Sequence, residues 1–167
     1  DLPQHITPYM EVKNALQEVY FRHKTMRKLI SLCWPHYIIY DKQEEIIESV
    51  ERNIETFCVA GNMLGKDFIA ALICLAFFLT RHPCRILTTS ADYNQLESVL
   101  WGEIRRHISE SKIPLTVDKG GPLITNHLYI RKMYNDQVDG LSYLQGRVAA
   151  KGEGLLGHHI ADIGDGI

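Results

Sequence analysis

Residues 57–78 have the sequence "FCVAGNMLGKDFIAALICLAFF". It begins with a short apolar run rich in β-forming residues, continues through two glycines and a lysine, and ends in a long apolar segment. This order predicts a buried strand at residues 56–61, a glycine-rich turn and a core helix at residues 66–80. A turn between a strand and the positive end of a helix binds phosphate through backbone N–H groups. The stretch therefore predicts a phosphate-binding loop.

The loop at residues 60–67 departs from the common form GxxxxGK[ST] at two positions. Ala60 stands where the first glycine is expected, although Gly61 follows it, and Asp67 replaces the hydroxyl residue. A carboxylate binds Mg²⁺ directly, so Asp67 is a candidate metal ligand. Lys66 is the candidate that reaches the β- and γ-phosphates. The alternative is a glycine turn that caps a core helix, with Lys66 in solvent and Asp67 favouring the helix N-terminus.

The segments around the loop predict an α/β fold with a mainly parallel sheet flanked by helices. A helical segment is expected at residues 1–36 and the α/β core at residues 37–167. Within the core, residues 41–53 predict an amphipathic helix capped by Asp41 with Glu44 at the capping-box offset. Residues 84–91 predict a strand, residues 92–112 a helix, and residues 113–117, 123–133 and 142–150 further strands. Strands that alternate with helices favour parallel pairing.

Gln43 and Tyr40 precede the loop by about twenty residues and form a candidate base-binding pair. An amide side chain presents both a donor and an acceptor to a base edge, and an aromatic ring stacks on the base. The alternative for Gln43 is an ordinary solvent-exposed position on a helix. Similarly, Thr88, Thr89 and Ser90 are either a turn near a nucleotide or plain strand residues.

The bulk properties restrict the class of protein further. The chain has 167 residues, a net charge of −2 and a sequence pI of about 6.5, so a DNA contact would need a local basic patch. Candidate patches are residues 22–28 and the pair Arg105 and Arg106. Four cysteines without a CxxC spacing predict free thiols in a reducing compartment. The longest apolar run is 12 residues, which is too short to cross a bilayer.

Taken together, these segments resemble the ATPase domain of phage large terminase subunits, the motors that package viral DNA. The resemblance rests on "AGNMLGKDFIAA", "RILTTSADYNQLESVLWGEIRR" and "SYLQGRVAAKGEGLLGHH", and it covers residues 40–157. It implies a RecA-like P-loop NTPase fold that binds ATP and Mg²⁺. It also implies double-stranded DNA, a portal protein and a small terminase subunit as partners, with a homo-oligomeric ring working in the host cytoplasm.

The resemblance assigns roles to individual residues. Gln43 becomes the adenine reader, Lys66 the phosphate lysine and Asp67 the residue on the Mg²⁺ side. The remaining nucleotide contacts come from the loop and the first turn of its helix, namely Gly61, Asn62, Met63, Leu64, Gly65 and Phe68.

Three departures limit the resemblance. Asn62 stands where many terminases carry a basic residue, so an arginine is expected from elsewhere, with Arg147 as the candidate. Asp67 replaces serine or threonine, as noted above. The third departure is that no run of four apolar residues followed by Asp-Glu is found, so we expect the chain to stop short of Walker B and to hydrolyse ATP poorly alone. Two alternatives stay open: another RecA-like or helicase-type ATPase, and a non-catalytic α/β assembly module.

Overall fold

The computed structural model describes residues 25–59, 65–134 and 136–149. The helices in these residues are α1 (Met26–Cys33), α2 (Asp41–Arg52), α3 (Lys66–Thr80) and α4 (Trp101–Glu110). The strands are β1 (Arg85–Ser90), β2 (Leu123–Asn126), β3 (Tyr129–Tyr134), β4 (Gln137–Val138) and β5 (Tyr143–Val148). The expected mixture of α-helices and β-strands is therefore confirmed. Of the helical segment expected at residues 1–36, α1 is observed, and residues 1–24 lie outside the described part of the chain.

The five described strands form one sheet in the order β1-β5-β3-β2, with β4 also paired to β3. Only β1 and β5 run parallel, and the other pairs are antiparallel. The prediction of a mainly parallel sheet is not confirmed by these strands. The reason is that residues 123–133, expected as one strand, reverse direction at Leu128, whose φ is 51°. A tight turn of this kind joins antiparallel neighbours.

The strand predicted before the loop is also not observed. Residues 56–59 lie outside every described strand, with Phe57 87% and Val59 101% exposed. Residues 113–117 likewise form only a single bridge, between Thr116 and Leu123. Composition predicts β structure only where another strand is present to pair and pack with the run. No described strand provides that surface for residues 56–59.

Helix α3 is the centre of the core because it is apolar on almost every side. It packs against α1 and α4, and its buried side chains include Leu72, Leu75 and Phe78. Its C-terminal end is held by the buried Lys132 of β3, whose Nζ donates to the carbonyl oxygens of Phe78, at 2.7 Å, and Arg81. Cations stabilise the negative end of a helix, so this contact fixes α3 against the sheet.

The helix predicted at residues 92–112 has two parts. A π-helical segment covers Gln95–Leu100, and α4 follows directly. Asp92 acts at the start as expected, since its Oδ1 accepts the backbone N–H of Asn94 at 2.9 Å. None of the four cysteines, all of which lie in the described residues, forms a disulfide; Cys33 and Cys84 are buried, whereas Cys58 is exposed.

Trp101 connects α4 to the parallel strand pair. Its Nε1 donates to Oγ1 of Thr88 on β1 at 2.9 Å, and that hydroxyl donates to the carbonyl oxygen of Gln145 on β5 at 3.0 Å. The indole is 1% exposed and lies directly over Gly146, where a β-carbon would be 2.6 Å from Nε1. Glycine at this position allows the helix to approach the sheet closely.

We expect the substitution Gly146→Ala to lower the free energy of unfolding by about 1–3 kcal/mol, because the new methyl group displaces the indole and breaks its hydrogen bond to Thr88. Urea denaturation measures this change. Gly140→Ala is the matched control, since a β-carbon at Gly140 would have no atom within 4 Å. Equal stability of the two variants would contradict the close contact.

Candidate nucleotide site

The N-terminus of α3 lies where the sequence predicts it. Gly65 is the N-cap in the left-handed conformation, with φ 63° and ψ 29°, and Lys66 is the first helical residue. The carbonyl oxygen of Gly65 accepts the backbone N–H of Ile69 at 3.1 Å. The first N–H groups of a helix have no acceptor within it, and they carry the positive end of its dipole. Gly65, Lys66, Asp67 and Phe68 thus form a helix start suited to an anion.

The rest of the predicted loop is not described. Gly61, Asn62, Met63 and Leu64 lie outside the described residues, so the expected nucleotide contacts at these positions stay predictions. The consequence of Asn62 in place of a basic residue also stays a prediction, because Asn62 is one of these residues.

Gln43 lies close to this helix start, and α2 begins one residue earlier than expected. The N-cap is Tyr40 rather than Asp41, and Gln43 rather than Glu44 takes the third helical position. Its Oε1 accepts the backbone N–H of Tyr40 at 3.1 Å. Gln43 is only 6% exposed, so it is not an ordinary surface residue.

A cavity of about 640 Å³ lies between α2, α3 and the segment 56–59. Its lining residues are Tyr40, Lys42, Gln43, Glu45, Ile46, Ser49, Thr56, Phe57, Cys58, Val59, Lys66 and Ile69. The walls include the exposed rings of Tyr40 and Phe57, and the polar groups include the Gln43 amide and the Lys66 ammonium. Apolar walls with a few convergent polar groups are typical of sites for small ligands. The size and composition suit a nucleotide.

Asp67 is half-buried in the first turn of α3, where a carboxylate stabilises the helix N-terminus. Among the described residues there is no group of three or more side chains that could hold a metal ion. Mg²⁺ in nucleotide sites commonly uses one or two carboxylates together with phosphate oxygens. The role of Asp67 as a Mg²⁺ ligand stays a prediction.

Arg147, the candidate arginine for the γ-phosphate, lies elsewhere on the sheet. It is exposed on β5 opposite Thr89 of β1 and is not among the residues that line the cavity. The structure therefore does not bring Arg147 and Lys66 together in one cavity. A role of Arg147 at the γ-phosphate, within this chain or in a neighbouring subunit, stays a prediction.

The described arginines of the candidate DNA-binding patches are each paired with a glutamate, and Arg22 lies outside the described residues. Ion pairs of 2.7 Å for Arg27 with Glu44 and 3.2 Å for Arg105 with Glu97 offset part of their charge. Arg106 pairs with Glu103 at 2.5 Å. Surface ion pairs of this kind are weak, so a polyanion could replace the glutamate as the partner of each arginine.

A second cavity, of about 550 Å³, lies between α4 and the β2–β3 hairpin. Its cation Arg105 is the one held by both the carboxylate and the carbonyl oxygen of Glu97. This cavity therefore offers less uncompensated positive charge to a phosphate than the start of α3 does.

His107 of α4 contacts the first turn of α3, and the sequence did not indicate this role. It is 0% exposed; Nε2 lies 2.9 Å from the carbonyl oxygen of Phe68, and Nδ1 lies 2.7 Å from the Tyr37 hydroxyl. A carbonyl only accepts, so Nε2 carries a proton and donates to Phe68. The Tyr37 hydroxyl beside Nδ1 donates to Oε2 of Glu110 at 2.8 Å. The rings of Tyr37, Phe68 and His107 also pack together. A histidine in the last turn of an amphipathic helix gives no local signal of these distant partners.

The pKa of His107 is lowered, chiefly because burial disfavours the imidazolium, and secondarily by Arg106; the Phe68 carbonyl, Glu103 and Glu110 oppose this. The unfolded chain therefore binds the proton more tightly than the folded chain. The stabilisation is complete above the ordinary histidine pKa of about 6.5 and is lost as the pH falls below it.

We expect the free energy of unfolding to fall between about pH 7.5 and about pH 5.5 by more in the wild type than in His107→Gln, which cannot take up the proton. Urea denaturation at both pH values measures the two slopes, and the variant shows what the other groups contribute. Identical slopes would contradict a buried neutral imidazole at this junction.

Comparison of the chain with protein-family models, with curated proteins and with solved structures gives no match. In the described residues, no helix has the length and apolar character needed to span a membrane.

Proposed function

We propose that the chain binds a nucleoside triphosphate, ATP with Mg²⁺, at the N-terminus of α3. The observation that carries the proposal is the left-handed Gly65 directly before Lys66, at a helix start that opens on the cavity with Gln43 and two aromatic rings. Backbone N–H groups and the Lys66 ammonium would bind the phosphates, and Tyr40 and Phe57 would enclose the base.

The larger proposal is that the chain is the ATPase domain of a phage large terminase, in which nucleotide binding and hydrolysis drive double-stranded DNA into a procapsid. It is supported by the order of loop, helix and strand in residues 65–90 and by the parallel pair of β1 and β5. A RecA-like sheet also needs a further parallel strand. The described sheet has a position for one, because β1 is an end strand with a neighbour on one side only.

Isothermal titration of the chain with Mg²⁺ and ATPγS tests the nucleotide proposal. The expected result is a saturable signal with one site per chain that is weakened when EDTA removes the metal, because Mg²⁺ offsets the repulsion between Asp67 and the phosphates. Absence of binding in the presence of Mg²⁺ would overturn the proposal and leave the non-catalytic assembly module as the better account.

A further inference from the structure

The orientation of the Gln43 side chain is fixed by its own helix. The backbone N–H of Tyr40 only donates, so the atom it contacts at 3.1 Å is the amide oxygen Oε1. The amide nitrogen Nε2 therefore points away from the end of α2. The residue is 6% exposed, which leaves this nitrogen little contact with solvent.

Nε2 of Gln43 lies against Gly65, the residue of the phosphate-binding loop that immediately precedes α3. A β-carbon built on Gly65 would be 3.3 Å from Nε2, closer than ordinary van der Waals contact. Gly65 is the left-handed residue that starts α3, and Lys66 follows it. Two N–H donors of a nearly buried amide therefore lie beside Gly65 at the start of α3.

This placement is a poor one for reading a base. Recognition of adenine by an amide uses its donor and its acceptor together. The acceptor of Gln43 is already engaged by Tyr40, and the donors are directed at Gly65. We propose that Gln43 is a positioning residue that holds Gly65 at the start of α3, so that it contributes to the affinity for the phosphate chain and not to the choice of base. The inference depends on the proposed nucleotide site.

Two variants separate the functions of the amide. Gln43→Glu keeps an oxygen for the Tyr40 N–H, as in a usual capping box, and removes both N–H donors. Gln43→Met has a similar length and no charge, so it removes the donors without adding repulsion toward phosphate. Isothermal titration of both variants and the wild type with the Mg²⁺ complexes of ATPγS, GTPγS and tripolyphosphate gives nine affinities. Urea denaturation of the same proteins reports any loss of the helix cap.

The expected result is that both variants bind all three ligands more weakly by a similar factor, about tenfold, which is the effect of one hydrogen bond to a charged or strained partner. A loss confined to ATPγS would make Gln43 a base reader and overturn the inference. Unchanged affinities with lowered stability of Gln43→Met would make it a helix cap only, which also overturns it. Weaker binding by Gln43→Glu alone would attribute the effect to charge repulsion and not to the N–H donors, which also overturns the inference. If the wild type binds none of the ligands, the proposed function itself fails and this role fails with it.

Discussion

Replacing Lys66 with alanine is expected to weaken the binding of ATPγS and Mg²⁺ by about 10- to 100-fold, which corresponds to the loss of a charged hydrogen bond to phosphate. Lys66 is the first residue of α3, and its ammonium is the cation at the helix start that opens on the cavity. Alanine retains the backbone N–H and the helix propensity, so the fold is preserved. Isothermal titration measures the change in affinity.

Lys42→Ala is the matched control for this variant. Lys42 lines the same cavity, but its Nζ pairs with Oε2 of Glu45 at 2.9 Å on the exposed side of α2. An exposed ion pair of this kind contributes little, so the affinity is expected to change by less than about threefold. Equal losses in the two variants would indicate nonspecific attraction of an anion to lysines and would argue against a phosphate site at α3.

Replacing Gly121 with alanine is expected to give the largest loss of stability, about 3 kcal/mol or more. A β-carbon there would be 2.2 Å from the carbonyl carbon of Leu115 and 2.4 Å from its oxygen, and backbone atoms cannot rotate away. The turn is also held by backbone hydrogen bonds from Gly121 to Thr116, at 2.8 Å, and from Leu123 to Leu115, at 2.7 Å. Leu115 and Leu123 are both buried, so relief of the clash opens the core at the start of β2.

Gly102→Ala provides the control for this prediction. Gly102 lies inside α4, and a β-carbon on it would have no atom within 4 Å. Alanine favours a helix interior over glycine, so this variant is expected to gain up to about 1 kcal/mol. Urea denaturation of the two variants should shift in opposite directions. A Gly121→Ala protein as stable as the wild type would contradict the close approach of Gly121 to the backbone of Leu115.

The parts of the fold that local sequence determines were predictable. The start of α3 at Lys66 follows from a glycine that adopts a positive φ and from the apolar residues after it. The strand at residues 85–90 and the cap at Asp92 are local in the same way. These features depend on neighbouring residues only, so one sequence is sufficient to place them.

Features that depend on distant partners were missed. Residues 56–59 have the composition of a strand, yet residues 57–59 are exposed and no described strand pairs with them. The direction of β3 depends on a turn at Leu128, a residue type that rarely takes a positive φ. His107 contacts Tyr37 and Phe68 across 70 and 39 residues of sequence. No periodicity or motif in the chain encodes contacts of this range.

In the candidate site, the lysine and the glycine before it were predictable, whereas the role of Gln43 was not. Its position in the first turn of α2 is evident in the sequence, but the hydrogen bond from the backbone N–H of Tyr40 to its amide oxygen depends on the cap lying at Tyr40. The resulting contact with Gly65 is a packing result. The contact of the amide nitrogen with Gly65 is the reason to assign Gln43 the positioning of Gly65 and not the recognition of a base.

A ¹⁵N-resolved NMR titration with Mg²⁺ and ATPγS, read at the backbone amide signals of the chain, tests the claim that a nucleotide binds at the start of α3. We predict that the largest shifts occur at Gly65, Lys66 and Asp67, because their N–H groups lie at the positive helix end that would face the phosphates. The side-chain amide of Gln43 should shift with them. Unchanged signals at these residues, or shifts confined to Asn126 and His127 at the second cavity, would contradict the claim.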